Sequence, residues 1–464
     1  MIANLIYWIT ERRWLFVAFA TGALLFLLPP PSGLSMAGYR TLVIVVVALV
    51  LIVFEPIPLP AVAMLILAFE VIFGIASPDM VAKSFMSDAV FFIMGSLMLA
   101  VSIVKQGLDT RLALGIIRLT GNKTWKLVAG FTTISALLSS FIGEHTVAAM
   151  LLPVALTLIH YADRDPRKVT GLTSLLLFSI AYGSTIGSIG TPSGGGRNVI
   201  MLEYWSQFGI HSITYLEWMK YAYPILLFEI PLTVLILWWT FKPEKKILDT
   251  GVRKLVVKVA KSGRMTARQI LAIFVFVLIF LGWVFLSDSI GLGIVALIGV
   301  FLYLALGLVE WEDLNRNTNW GVIVLFGAAI SMGFQMRQTG AAMWIAHLTV
   351  DGLSSVISNL PAIRGTVAVV LTTVLSNLMS SSATVAMIGP IVLNMGGDPV
   401  VMGFTTAISS AFGYFTVVAA PACMIVYSCG LLRAVEFVKA GWKMALMSIV
   451  VLILVSQLWW PLLR

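Results

Sequence analysis

Long uncharged runs, rather than alternating patterns, set the hydrophobic rhythm of this chain. A helix needs about 20 apolar residues to cross the hydrocarbon core of a bilayer. Runs of that kind lie near 14–30, 40–56, 60–76 and 88–107, and again near 222–241, 267–287, 289–309, 318–337 and 440–462. The first follows Arg12 and Arg13 and outlasts the roughly 7–15 apolar residues of a secretory leader, so it reads as an anchor. Four other stretches do not fit single crossings. Residues 125–162 carry Glu144 and His145 at their midpoint, 169–196 is interrupted by glycines, and 365–397 and 399–432 are over-long with polar clusters at their centres. Irregular backbone at membrane depth survives only where it lines a protein-enclosed cavity. These stretches therefore predict two re-entrant hairpins, 125–162 and 360–396, and two interrupted helices, 170–203 and 399–430.

Composition removes the soluble alternatives. Of 464 residues, 59% are hydrophobic and 11% charged, where soluble chains average about 45–50% and 25%. An ordinary soluble enzyme is excluded, and so is a disordered chain. Cys423 and Cys429 make no disulfide framework, and their spacing fits no zinc pattern. The formal charge of +9 would suit nucleic acid, but the basic residues gather in connecting segments. With the N-terminus cytoplasmic and hairpins that return to the side they left, the inner segments hold Lys105, Arg111, Arg118, Lys123, Lys126, Arg164, Arg167, Lys168, the basic stretch 242–268, and Arg433, Lys439 and Lys443. The outer loops are poor in Lys and Arg, which is the bias that sets membrane orientation. A nucleic-acid partner is thus not expected. About eleven crossings place the C-terminus outside, in a cell (inner) membrane, with 242–266 as a basic cytoplasmic connector between halves.

The halves resemble each other. VFFIMGSLMLAVSIVKQG (90–107) aligns without gaps to VIVLFGAAISMGFQMRQT (322–339), placing Gly95 on Gly327, Lys105 on Arg337 and Gln106 on Gln338. A hairpin follows each, with GEHTVAAMLLP (143–153) set against SSSATVAMIGP (380–390), and then an interrupted helix, TPSGGGRNVI (191–200) or AAPACMIV (419–426). One copy starts inside and the other outside, so the fold class expected is all-α and polytopic, with two inverted-topology repeats. That is the architecture of secondary transporters.

Interrupting a helix frees backbone N–H groups at each new N-terminus and C=O groups at each C-terminus. Opposed N-termini favour an anion, and freed carbonyls can hold a small cation. Small hydroxyl residues suit such a site: Ser380, Ser381, Ser382 and Thr384 on one side, Thr146, Thr191, Ser193 and the glycines Gly194, Gly195 and Gly196 on the other. The bland reading of the serines is helix packing through small residues. Arg197 can meet a substrate oxygen, pair with Glu144, or snorkel to water. An intramembrane carboxylate such as Glu144 needs a proton, a cation or a basic neighbour, and His145 can donate to substrate or relay protons. Glu55, Glu70 and Glu229 read as span ends or scaffold contacts, and Gly183-x-x-x-Gly187 as close helix packing. No Walker-type loop or HExxH pair is present, so no cofactor is expected beyond Na+ or H+ as coupling ion.

These residues resemble a divergent member of the divalent anion/sodium symporter family, whose carriers take dicarboxylates, citrate or sulfate. The likeness spans nearly the whole chain and rests on the paired halves, the AAMLLP and VAMIGP turns and the IGTPxGxxxN break. The family's Ser-Asn-Thr triplet falls on Gly143, Glu144 and His145 in the first half, where none of its residues is kept, and on Ser380, Ser381 and Ser382 in the second. Its Gly-Ser/Thr-Pro-Pro-Asn break falls on Gly194, Gly195, Gly196, Arg197 and Asn198, and on Ala420, Pro421, Ala422 and Cys423. The resemblance implies Na+ sites at Ser139, Glu144 and Gly194 and at Ser376 and Ser381. It also implies a lipid-embedded homodimer that moves its transport domain as an elevator. On that pattern 1–124 and 267–357 form the scaffold, and 125–241 and 358–464 the transport domain. The function expected is secondary transport of a small divalent anion driven by Na+ or H+. The rivals are an anion exchanger without cation coupling, an anion channel, and a membrane enzyme; the last lacks a constellation, since its four histidines (145, 160, 211 and 347) are scattered.

Overall fold

The computed structural model describes residues 12–108, 120–163, 165–210, 213–249, 252–253, 264–352, 361–417 and 419–463. The N-terminal residues 1–11, Arg111, Arg118, Arg164, His211, most of the basic connector (with Lys254, Lys258 and Lys261) and 353–360 at the start of the second hairpin lie outside them. The described residues are helical, with no strand beyond one bridge pairing Lys123 with Ile247.

The first half comprises α1 (Arg13–Phe26), α2 (Met36–Phe54), α3 (Leu59–Ile72), α4 (Pro78–Phe85), α5 (Asp88–Lys105), α6 (Thr124–Ile142), α7 (Glu144–Ala162), α8 (Thr170–Gly187), α9 (Gly196–Gln207) and α10 (Tyr215–Thr240). The second comprises α11 (Ala267–Phe285), α12 (Leu292–Ala305), α13 (Trp311–Asn317), α14 (Trp320–Gln338), α15 (Ala341–Gly352), α16 (Pro361–Ser376), α17 (Ser381–Leu393), α18 (Pro399–Ser409), α19 (Pro421–Ser428) and α20 (Ala434–Leu458). Nine helices among the described residues are long and apolar enough to cross a membrane: α2, α5, α6, α7, α8, α10, α11, α14 and α20.

Both predicted hairpins bend where expected, α6 into α7 at Gly143 and α16 into α17 at residues 377–380. Both long polar runs are interrupted, α8 from α9 and α18 from α19. Three expected crossings are shorter than the apolar runs that announced them. Helices α1, α3 and α12 have 14 residues each, about 21 Å at 1.5 Å per residue. Local backbone chemistry cuts them. Pro29–Pro31 follow α1, and proline lacks the N–H that a continuing helix needs. Helix α3 starts on Pro58 and stops before Gly74 (φ +67°), while α12 is bounded by Gly291 (φ +85°) and Gly307 (φ +64°). In the first hairpin each arm has 19 residues, so length alone does not distinguish an arm from a crossing.

Contacts in one half have counterparts in the other. Helix α5 packs on α12, and α14 on α3; α4 packs on α14, and α13 on α5. At the α13–α5 contact, Lys105 Nζ lies 2.6 Å from Asp313 and holds its carboxyl below the usual range. Nearer the breaks, α7 packs on α19 and α17 on α9. The strongest partners are thus often in opposite halves, so the two halves interlock. Helix α8 is buried along nearly all its length and lies closest to α6. Its glycines permit this, as the spacing predicted: a Cβ on Gly183 would sit 2.8 Å from the Thr132 carbonyl oxygen, and one on Gly187 2.1 Å from that of Ala136.

Gly187→Ala is expected to force α8 off α6, at about 1–3 kcal/mol, the usual cost of overpacking a tight core. Gly365→Ala, in α16, meets nothing within 4 Å and serves as the control. Melting of the two variants in detergent checks this: only the first should fall below the wild type.

Candidate functional site

Four helices begin at one cavity of about 500 Å³. Helix α7 begins at Glu144, α9 at Gly196, α17 at Ser381 and α19 at Pro421, and all four residues line it. Each start has a local cause. Gly143 closes α6 and opens α7 with φ +82°, a conformation that L side chains rarely adopt. Gly195 precedes α9 in an extended conformation, and Gly196 lies flat on Phe326, whose ring would be 2.1 Å from any Cβ there. Ser380 caps α17, its hydroxyl accepting from the Ala383 N–H at 3.4 Å. Pro421 opens α19, where a missing N–H costs nothing. Each helix start contributes about half a positive charge and unpaired N–H groups, a setting that favours an anion.

The first break is tied down by buried polar bonds. Asn198 donates through Nδ2 to the carbonyls of Ser188 and Thr191, both at 2.8 Å. The Thr191 hydroxyl donates to the Ser140 carbonyl, and Ser193 meets Thr191 at 3.0 Å and Tyr215 at 2.7 Å. Gly194 admits the close approach of these groups, because a Cβ there would meet the Ser188 oxygen at 2.4 Å and the Ser140 oxygen at 3.0 Å. The second break is held by Asn377, which donates to the Phe412 carbonyl at 3.2 Å and accepts from the Phe415 N–H at 2.9 Å.

Arg197 and Glu144 meet in the cavity wall. Arg197 Nη1 lies 3.3 Å from Glu144 Oε1, with side chains only 1% and 7% exposed. Nη2 donates to the Ser188 hydroxyl. The snorkelling reading of Arg197 is therefore excluded. Among the described residues lining the cavity, Arg197 is the only Lys or Arg and Glu144 the only carboxylate.

The cavity brings together Gly143, Glu144, His145, Gly194, Gly195, Arg197, Ser380, Ser381, Ser382 and Pro421 of the predicted site. It leaves out Thr146, Asn198 and Ala420. Asn198 acts behind the wall by fixing the break, Ala420 caps α19 from one residue outside, and Thr146 is buried in the first turn of α7. Ser139 and Ser376 also lie behind it, donating to the Ser184 carbonyl at 2.7 Å and the Thr373 carbonyl at 2.9 Å. Ser381 reaches the Ala419 carbonyl at 3.3 Å.

Sequence reasoning missed a further part of the lining: Phe92, Ile93 and Ser96 of α5, Val322, Leu325 and Phe326 of α14, and Asn319 at its cap. The repeat alignment, which pairs Ile93 with Leu325, was the signal that could have found it. Among the other carboxylates, Glu55 caps the end of α2, a span end as expected, and Glu70 accepts from Ser331 at 2.6 Å. Glu229 is neither a span end nor exposed to the cavity; it lies fully buried within α10, facing Ser448 of α20.

Residues 10–464 match the family model described as the sodium:sulfate symporter transmembrane region. A sodium-dependent dicarboxylate transporter of Staphylococcus saprophyticus is 26% identical over 95% of this chain and 90% of its own length. Its Staphylococcus aureus counterpart is 26% identical over 94% and 89%. Among solved structures, the YdaH transporter of Alcanivorax borkumensis superposes with a TM-score of 0.55 at 13% identity, covering 82% of this chain and 88% of that one. At that identity the likeness concerns the fold alone.

Asn198→Ala would leave the Ser188 and Thr191 carbonyls without their donor. An unsatisfied buried polar group costs about 1–3 kcal/mol. Thermal unfolding in detergent should show clear destabilisation, and Asn198→Asp, which cannot donate, should be no better.

Proposed function

The chain belongs to the family of the sodium:sulfate symporter transmembrane region, and on that premise we propose that it is a secondary active transporter of small divalent anions. The observation that carries the reading is the meeting of four helix N-termini at one cavity that also holds Arg197. Such a site suits carboxylate or sulfate oxygens, which accept from backbone N–H groups and from the Ser380, Ser381 and Ser382 hydroxyls. The cavity of about 500 Å³ accommodates a dicarboxylate or citrate, and the Staphylococcus relatives carry dicarboxylates in their names.

The same relatives favour Na+ as the coupling ion. Helix C-terminal ends support this choice: α6 and α8 bring the Ser140 and Ser188 carbonyls against Gly194, beside Ser139, and α16 ends at Ser376 near Ser381. Carbonyl and hydroxyl oxygens are hard ligands of the kind a small cation prefers. H+ is the alternative, through Glu144.

In this reading the repeats are inverted, the N-terminus is cytoplasmic and the C-terminus outside. Segments 1–124 and 267–357 form a scaffold that pairs with a second copy in an inner membrane. Segments 125–241 and 358–464 form the transport domain, which slides against the scaffold wall of α5 and α14 as an elevator. The crossed packing of α7 on α19 and α17 on α9 supports a single transport body built from both halves.

Reconstituted protein is expected to accumulate at least one of succinate, citrate and sulfate, saturably and against its gradient, when an inward Na+ or H+ gradient is imposed. Absence of gradient-driven uptake of all three would reject coupled transport. Ohmic anion current without saturation would assign a channel, and exchange indifferent to both gradients an anion exchanger.

A further inference from the structure

Arg197 and Glu144 form an ion pair that is made incompletely. One contact of 3.3 Å joins them, where a bidentate guanidinium–carboxylate pair has two shorter ones. Arg197 Nε has no hydrogen-bond partner, and neither has Glu144 Oε2; the Thr185 hydroxyl of α8 lies beside the Glu144 carboxyl. Both residues are buried and both line the cavity. The guanidinium is folded against Gly195, where a Cβ would lie 3.2 Å from Nη1, so its position depends on that glycine. Each partner therefore keeps a free hydrogen-bonding atom at the place where the carrier reading puts its substrate.

We infer that Glu144 is a tethered counter-anion: it holds the charge of Arg197 while the carrier is empty, and a substrate oxygen displaces it when the carrier is loaded. The inference rests on the transport function proposed above. A buried guanidinium without an anion is costly in a low-dielectric interior. Substrate can satisfy Arg197 by taking the Nη1 donor from Glu144, while the free Nε–H, which points to the Nη2 side of the guanidinium, remains for a second oxygen. Glu144 is then left beside a second negative charge, and the cation that travels with the substrate neutralises it, Na+ or H+, next to the Thr185 hydroxyl. The other titratable groups around the pair are His145 on α7, Cys423 on α19, and Tyr182 and Tyr414 behind them. None of these is a carboxylate that could replace Glu144. The pair is thus neutral when empty, and with a divalent anion bound the site is neutral again once two coupling cations accompany it, so the empty carrier can return across the membrane and net uptake can proceed.

The discriminating readout is the ratio of net uptake to exchange within one variant. Proteoliposomes would be given labelled succinate, or sulfate if succinate is not carried, either with empty lumens under an inward gradient or preloaded with the same anion. In Glu144→Gln the empty form carries an uncompensated Arg197, so net uptake should fall at least tenfold relative to that variant's own exchange; Glu144→Asp should restore the ratio. Loss of both fluxes in proportion would mark the pair as structural and overturn the inference. No flux of any kind in the wild type would instead defeat the transport reading itself. A measurement on the wild type stands if the Gln variant does not fold. Affinity for the same anion by titration calorimetry should tighten at least tenfold with added Na+, or on acidification, according to which cation takes Glu144; indifference to both overturns the inference.

Discussion

In a bilayer no water is present to satisfy a free backbone amide or carbonyl, so a spanning chain either closes its hydrogen bonds within each helix or shelters the breaks inside protein. This chain breaks four times near one place, at Gly143, at 188–195, at 377–380 and at 410–420. Much of what surrounds those breaks follows from that constraint. The Asn198 and Asn377 side chains replace missing backbone partners. The Ser139 and Ser140 hydroxyls add second donors to the Ser184 and Gly187 carbonyls at the end of α8, and Thr191 donates to the Ser140 carbonyl near the end of α6. Four helix starts meet at the cavity, where first-turn N–H groups have no partner within their own helix.

The constraint also explains why the two sides of the cavity differ in character. The side made by helix starts is polar and rich in glycine, because backbone must come close to the solute. The lining from α5 and α14 is dominated by Phe92, Ile93, Leu325 and Phe326. An apolar wall excludes water from the charges of Glu144 and Arg197, which strengthens their interaction.

Much of this could be read in the residues alone. Over-long apolar runs with polar centres marked all four breaks, because few other patterns put GEHT, SSS or SGGGR inside a hydrophobic stretch. The close packing of Gly183 and Gly187 was visible from their spacing. Helix ends were less so. The 14-residue lengths of α1, α3 and α12 depend on prolines and on positive-φ glycines, whereas apolar residues continue past those points and carried the expected spans with them. The partner of Arg197 stayed open among three choices, since 53 positions separate it from Glu144, and only tertiary packing selects one. The α5 and α14 wall escaped notice because its side chains look like any other membrane helix; nothing in a leucine or phenylalanine says that it faces a solute rather than lipid.

The crossed packing of α5 on α12 and of α14 on α3 has a consequence for how the molecule is made. During synthesis α5 enters the membrane nearly two hundred residues before α12 exists, so the ribosome must finish much of the second half before the first can find its permanent neighbour. Until then the small-residue seam at Gly95, which later admits Ala296, lacks that partner. A polypeptide ending after the connector would accordingly be an orphaned assembly intermediate, fit for quality-control proteolysis rather than for work as a half-sized carrier.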